Sequence, residues 1–145
     1  MDISNSFEMP KVNGSVVPRQ IQSQDLAQYP ALKRWFDEIA AGDVVGAKKP
    51  APDIYHYVLG RLRHEPEECV AFEDSENGLR AARAARIPAV ITVNDYTRTH
   101  DFTGAALVVD HLGEPDRPCR VLAGVPLGGA TMVDLAVLRR LSIPQ

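Results

Sequence analysis

The sequence predicts an α/β fold, a short parallel sheet with flanking helices. Three observations predict it. Apolar runs of buried-strand length occur at Cys69-Val70-Ala71-Phe72, Ala89 to Val93 and Leu107-Val108-Val109. A segment with helical period separates the first two, Leu79, Ala82 and Ala85 falling on one face. Each run stops at acids or amides: Glu73-Asp74, Asn94-Asp95 and Asp110. Strand, helix, strand, connection, strand is the order of a parallel sheet with crossovers. Ligands of such sheets bind beyond the carboxyl ends of the strands, where these polar residues gather.

The elements follow in order. Residues 1–24 carry little apolar periodicity, with Asn5, Pro10, Asn13, Gly14 and Pro18, and read as a loop or disordered lead. Ala31 to Phe36 suits a short helix after Pro30, and Phe36 to Ala40 a short strand before the Gly42-Asp43 turn. Ile54, Val58, Leu59 and Leu62 make an apolar helical stripe, with Asp53 as N-cap or first-turn acid. A second helix is expected from about Glu76 to Arg86; its alanines allow close approach to a sheet. Gly124 to Gly129 is loop-like. Val133 to Leu141 suits a helix that packs Leu135, Leu138 and Leu141 on the core.

Composition narrows the function classes. The 145 residues are 45% hydrophobic and 24% charged, enough for one core but short for a catalytic domain with a lid. A net charge of −3 offers no basic face, so nucleic acid is not an expected partner. No apolar run approaches a membrane span, and Met1 to Pro10 lacks the pattern of a secretory signal. Two cysteines, Cys69 and Cys119, are too few for a disulfide framework; as free thiols they fit a cytoplasmic protein.

Two places carry chemistry. Glu73 and Asp74 would point to opposite faces of a strand, but in the turn after it both can swing to one point, where a hard divalent cation relieves their repulsion. Ser75 and Asn77 can hold that turn, and the following helix aims its N-terminus at the same edge. The plainer reading is that Asp74 or Ser75 only caps the helix. Lys49, stiffened by Pro50 and Pro52, can bridge a carboxylate and a phosphate; the plainer reading is a solvated Lys48-Lys49 pair. His56, His64, His100 and His111 have no metal-ligand spacing, and His56 reads as a surface residue.

Lys49-Pro50-Ala51-Pro52-Asp53-Ile54-Tyr55 and Phe72-Glu73-Asp74-Ser75-Glu76-Asn77-Gly78-Leu79-Arg80-Ala81-Ala82 resemble the third and fourth motifs of the haloacid dehalogenase hydrolases, subfamily I, in order and 25 positions apart from Lys49 to Asp74. Tyr96-Thr97-Arg98, Leu112-Gly113-Glu114-Pro115 and Val133-Asp134-Leu135 with Leu138-Arg139-Arg140-Leu141 are similar to the CbbY group of sugar-phosphate phosphatases, over roughly residues 31–141. The resemblance implies a Rossmann-like sheet and a magnesium-dependent phosphatase acting on a small phosphorylated metabolite, xylulose 1,5-bisphosphate for that group. Lys49 would steady nucleophile and phosphate, Glu73 and Asp74 would hold magnesium, and Ser75 and Asn77 would support the loop. The reaction implied is attack by an aspartate on phosphorus, then hydrolysis.

The departures are equally definite. The family's first strand ends Asp-x-Asp-Gly, and no Asp-x-Asp occurs in these 145 residues. Neither the second-motif Ser or Thr nor the helical cap can be recognised. The expectation is a partial haloacid-dehalogenase-like sheet lacking its first strand and cap: a lead at 1–24, the C-terminal part of the core at 25–113, and an extension with a core-packed helix at 114–145. Such a chain is expected to be inactive alone, to bind magnesium weakly, and to associate with copies through an exposed sheet edge. The alternative is a non-catalytic remnant with weak affinity for magnesium or phosphate. A response-regulator receiver would place its acid pair before the lysine, and here Lys49 comes first. Arg86 stands where the family's helix usually ends in glycine, at a cost of about 1 kcal/mol if the backbone there is left-handed.

Overall fold

The computed structural model describes residues 37–141, together with the backbone of residues 11–12 and 15–16. Those last two pairs form β1 (Lys11–Val12) and β2 (Ser15–Val16), a minimal antiparallel hairpin where the sequence suggested only loop. The helix expected over Ala31 to Phe36 lies outside the described residues. Residues 37–40 form no strand, which corrects the strand expected at Phe36 to Ala40; a single 3-10 turn follows at Gly42–Val44.

The core is a four-stranded mixed sheet in the order β3 (Ala71–Glu73), β4 (Ala89–Thr92), β5 (Leu107–Val109), β6 (Val121–Gly124). β3, β4 and β5 are parallel, as expected. β6 runs antiparallel to β5 with a register shift at Val108/Val109, and it was not foreseen. Val121 to Gly124 is too short to show a period, and three of its four residues are exposed. Residues 114–141 thus add an edge strand to the sheet as well as a helix.

Side-chain alternation sends neighbouring strand residues to opposite faces. Ala71, Ala89, Ile91 and Val108 face one layer and Val90, Leu107 and Val109 the other. On the first face lies α2 (Glu76–Ala84), which applies Leu79 and Ala82, followed by Ala85 and Ile87. α1 (Asp53–Leu62) sits outside it, with Tyr55 and Leu59 packed on the same cluster. Asp53 is the first-turn acid of α1; the residue before the helix is Pro52. On the second face α3 (Leu135–Leu141) buries Val137, with Leu138 and Leu141 packed beside it. Leu135, expected on the core, is 68% exposed: the inward stripe passes through Val137 instead. Cys69 and Cys119 are free and partly buried, each packed on one cluster. Among the described residues no helix is long and apolar enough to cross a membrane.

Candidate functional site

β3 is short because Glu73 and Asp74 end it, and Ser75 then turns the chain into α2. Ser75 is extended, and its Oγ accepts a bond from the Gly78 amide at 3.1 Å, the N-cap arrangement that satisfies one orphan donor of the first turn. The capping role weighed for this loop belongs to Ser75, which leaves both acids available.

Lys49 reaches that turn from the loop before α1, where the Lys49–Pro50 peptide is cis. Its ammonium donates to Glu73 Oε1, and the Tyr55 hydroxyl donates to the same oxygen. The Glu73 side chain is 8% exposed, so this carboxylate is a nearly buried charge satisfied by one cation and one hydroxyl. Its other oxygen occupies space that only a glycine leaves: a Cβ on Gly78 would lie 1.9 Å from Oε2. Burial, then the bond to Glu73 and its charge, drive the Tyr55 phenol pKa far above its ordinary value, keeping it a donor.

Asp74 is exposed and accepts a 3.3 Å bond from Asn94 Nδ2, at the carboxyl end of β4. Asn94 is itself fixed, its Oδ1 accepting from the Tyr96 and Thr97 amides at 2.9 and 3.2 Å. Lys49, Glu73, Asp74 and Asn94 are therefore gathered at the carboxyl edge of β3 and β4. The other edge acids turn elsewhere. Asp95 pairs with Arg98. Asp110 accepts from the Arg120 and His111 amides at 2.8 and 2.9 Å; the Arg120 bond leads in holding its carboxyl below the usual range. Asn77 is exposed in the first turn of α2 and, among the described residues, bonds to neither acid. His56 is exposed, as expected.

Among the described residues no group of three or more His, Cys, Asp or Glu side chains gathers as a metal site. Glu73 Oε1 already serves two donors, and Asp74 is the open carboxylate. That donor set fits only a water-rich magnesium, one that borrows one or two carboxylates and completes its shell with water and substrate oxygens.

Two members of the cluster were missed from sequence. Tyr55 lies within the lysine motif, four residues before core-packed Leu59, and that spacing was the available signal for an inward side chain. Gly78 was the other: a glycine in the first turn of a helix, where alanine is favoured, marks a close approach.

Residues 17–86 match the haloacid dehalogenase-like hydrolase family. The plasmid CbbY protein of Cupriavidus necator is 47% identical over 104 residues, 72% of this chain and 40% of that protein. The fructose-1-phosphate phosphatase YqaB of Escherichia coli is 40% identical over 68 residues, 47% of this chain and 36% of that protein. A crystal structure of a Rhodobacter sphaeroides CbbY mutant in complex with xylulose-(1,5)bisphosphate superposes with a TM-score of 0.54 at 48% identity, covering 58% of this chain and 37% of that one. The chain thus spans less than half the length of these relatives. With both motifs in place on a sheet that superposes at this identity, residues 17–86 carry part of a haloacid dehalogenase-like hydrolase domain.

Proposed function

We propose that this chain provides the lysine-and-acid side of a phosphohydrolase site for small sugar phosphates, with xylulose 1,5-bisphosphate as the first substrate to try. The observation that supports it is the contact of the Lys49 ammonium with Glu73, the residue before the open Asp74 carboxylate, at the carboxyl edge of β3. The Rhodobacter relative was crystallised with that bisphosphate, and the Escherichia coli relative is named for fructose 1-phosphate, so both relatives point to phosphorylated sugars.

In this reading Lys49, exposed on one side while anchored on Glu73 at the other, presents positive charge to a phosphate and to the carboxylate that attacks it. Asp74, steadied by Asn94, would hold magnesium, with Glu73 beside it contributing charge and water and substrate oxygens completing the shell; when bound the ion offsets charge on the phosphoryl group. Ser75 keeps the acid turn in register with α2, and Asn77 borders it. The attacking aspartate is not recognisable in these 145 residues, so the chain alone is expected to release no phosphate. Free thiols at Cys69 and Cys119 agree with work in the cytoplasm.

The purified chain, incubated with xylulose 1,5-bisphosphate or fructose 1-phosphate and millimolar magnesium, should release no phosphate above background. Magnesium-dependent release that Asp74→Asn abolishes would overturn the expectation of inactivity. The same lack of Asp-x-Asp favours a second reading, a non-catalytic remnant with weak magnesium or phosphate affinity. Mixing the chain with the part of Cupriavidus CbbY that it does not match separates the two: restored hydrolysis supports the first, none the second.

A further inference from the structure

We infer that Tyr55 is a positioning residue that sets the Lys49 ammonium through Glu73. Three features of one carboxylate carry this. The Tyr55 hydroxyl and the Lys49 ammonium donate to the same oxygen, Glu73 Oε1. The Lys49 nitrogen also lies 5.3 Å from the centroid of the Tyr55 ring, within cation–π range. The opposite oxygen is lodged against Gly78, where a Cβ would come within 2.3 Å of Glu73 Cδ. Glu73 is thus held from two sides, and Tyr55 touches both members of the ion pair.

The consequence concerns order. Lysine carries its charge on a flexible four-carbon stem with three rotatable donors, and an anchor on a mobile carboxylate would leave the amine spread over many positions. Tyrosine has two side-chain torsions and is fixed by α1, whose first turn is tied back by the Tyr55 amide to Pro52 at 2.9 Å. Ring and hydroxyl together convert the rigidity of α1 into a defined place for the amine. Phenylalanine would keep the ring beneath Lys49 and lose the grip on Glu73; leucine would lose both. The inference deepens the phosphohydrolase reading, from which it takes only the use made of the amine; the arrangement stands without it.

The test uses the intact chain and measures no hydrolysis, so inactivity on sugar phosphates leaves its result unaffected. The chain has four lysines, Lys11, Lys33, Lys48 and Lys49, and Lys49→Met assigns the Lys49 amine signal in 15N NMR spectra. Hydrogen exchange at that amine should quicken about three- to tenfold in Tyr55→Phe, the size of effect expected from one lost hydrogen bond, and further in Tyr55→Leu. Gly78→Ala, which displaces the Glu73 carboxylate from outside the pair, should quicken it too. A purely structural role for Tyr55 would lower stability without singling out this amine. Unchanged exchange in folded Tyr55→Phe and Gly78→Ala overturns the inference. Should both variants fail to fold, the wild-type chain decides: nuclear Overhauser contacts between the Tyr55 ring and the Lys49 ε-methylene support it, and their absence overturns it.

Discussion

The two faces of the sheet are built from similar apolar residues but used differently. On one face α2 and α1 bury Leu79, Ala82, Ile91 and their neighbours, and at the carboxyl end this layer opens into a polar corner of Lys49, Tyr55, Glu73 and Gly78. On the other face Val90, Leu107 and Val109 meet Leu127 and Val137, and Tyr55, the site residue packed on the first cluster, is not part of this one. The difference teaches that a core of the same composition can serve only as packing or can also fix a charged cluster. What distinguishes them is that β3 ends in Glu73 and that the loop before α1 and its first turn bring Lys49 and Tyr55 to that carboxylate.

Leucine-to-alanine substitution on each face puts this to its strongest test. Leu79 is 1% exposed and Leu107 fully buried. Each loss should cost about 2–5 kcal/mol, the transfer of the deleted methyls plus the cavity left behind. Denaturant melts should show comparable losses. NMR signals of Lys49, Tyr55 and Glu73 should move in Leu79→Ala, because Leu79 follows Gly78 on the helix that backs Glu73, and stay in place in Leu107→Ala. If both variants disturb the corner equally, the two faces are one mechanical unit and the contrast fails.

Much of the first face was legible in the sequence and much of the second was not, for physical reasons. Cys69-Val70-Ala71-Phe72 marks the place of β3, although the strand itself is Ala71–Glu73, two residues later than the apolar run begins, with Phe72 48% exposed; Leu79, Ala82 and Ala85 mark the face of α2 that covers it. Lys49 and Glu73 were legible as motif residues, and the structure puts them in contact. What the sequence hid was the share of others in that contact. Tyr55 stood only as the last residue of the lysine motif, and Gly78 as one of the acid motif, because neither advertises a partner 18 or five positions away. On the second face β6 has no alternation to detect, and it joins β5 across a register shift, so only tertiary pairing makes it a strand. Leu135 was placed inward by spacing alone, and Val137 took that place when the helix docked.

Breaking the polar corner directly should cost less than emptying the core. Lys49→Met leaves the Glu73 carboxylate, 8% exposed, with Tyr55 as its remaining donor among those observed. Removing one partner of a mostly buried charge costs roughly 1–3 kcal/mol. The double variant Lys49→Met/Glu73→Gln should regain part of this loss, since no unpaired charge then stays behind; chemical denaturation of the four chains measures the coupling. No recovery would mean that Glu73 is solvated well enough to need no cation. Ser75→Ala comes next in size. It removes the acceptor of the Gly78 amide and should cost about 1 kcal/mol, as N-cap losses do, while Ser75→Gly should cost only a few tenths. Equal losses in the two would show that Ser75 matters for something other than its cap bond.

The smallest expected effect runs the other way and concerns how the site-bearing helix ends. Arg86 has φ 61°, in the left-handed region, and the bonds around it are those of a Schellman motif: its amide donates to Arg83 O and the Ile87 amide to Ala82 O, both at 2.9 Å. Ile87 and Ala82 lie in one apolar cluster, so the hydrophobic contact that accompanies the motif is present as well. Everything the motif asks for is there except the residue without a Cβ. A non-glycine residue in this conformation costs about 1–2 kcal/mol. Glycine would relieve that cost but gives up about 0.5–1 kcal/mol through the greater freedom of the unfolded chain. The difference leaves Arg86→Gly more stable by about 0.5–1 kcal/mol, a rise of a few degrees in melting temperature for a domain of this size. Arg86→Ala is the control, since it removes the guanidinium and keeps the Cβ, and it should leave the melting temperature nearly unchanged. A rise in Arg86→Ala as large as in Arg86→Gly would mean that arginine's charge, and not its backbone, burdens this end of α2.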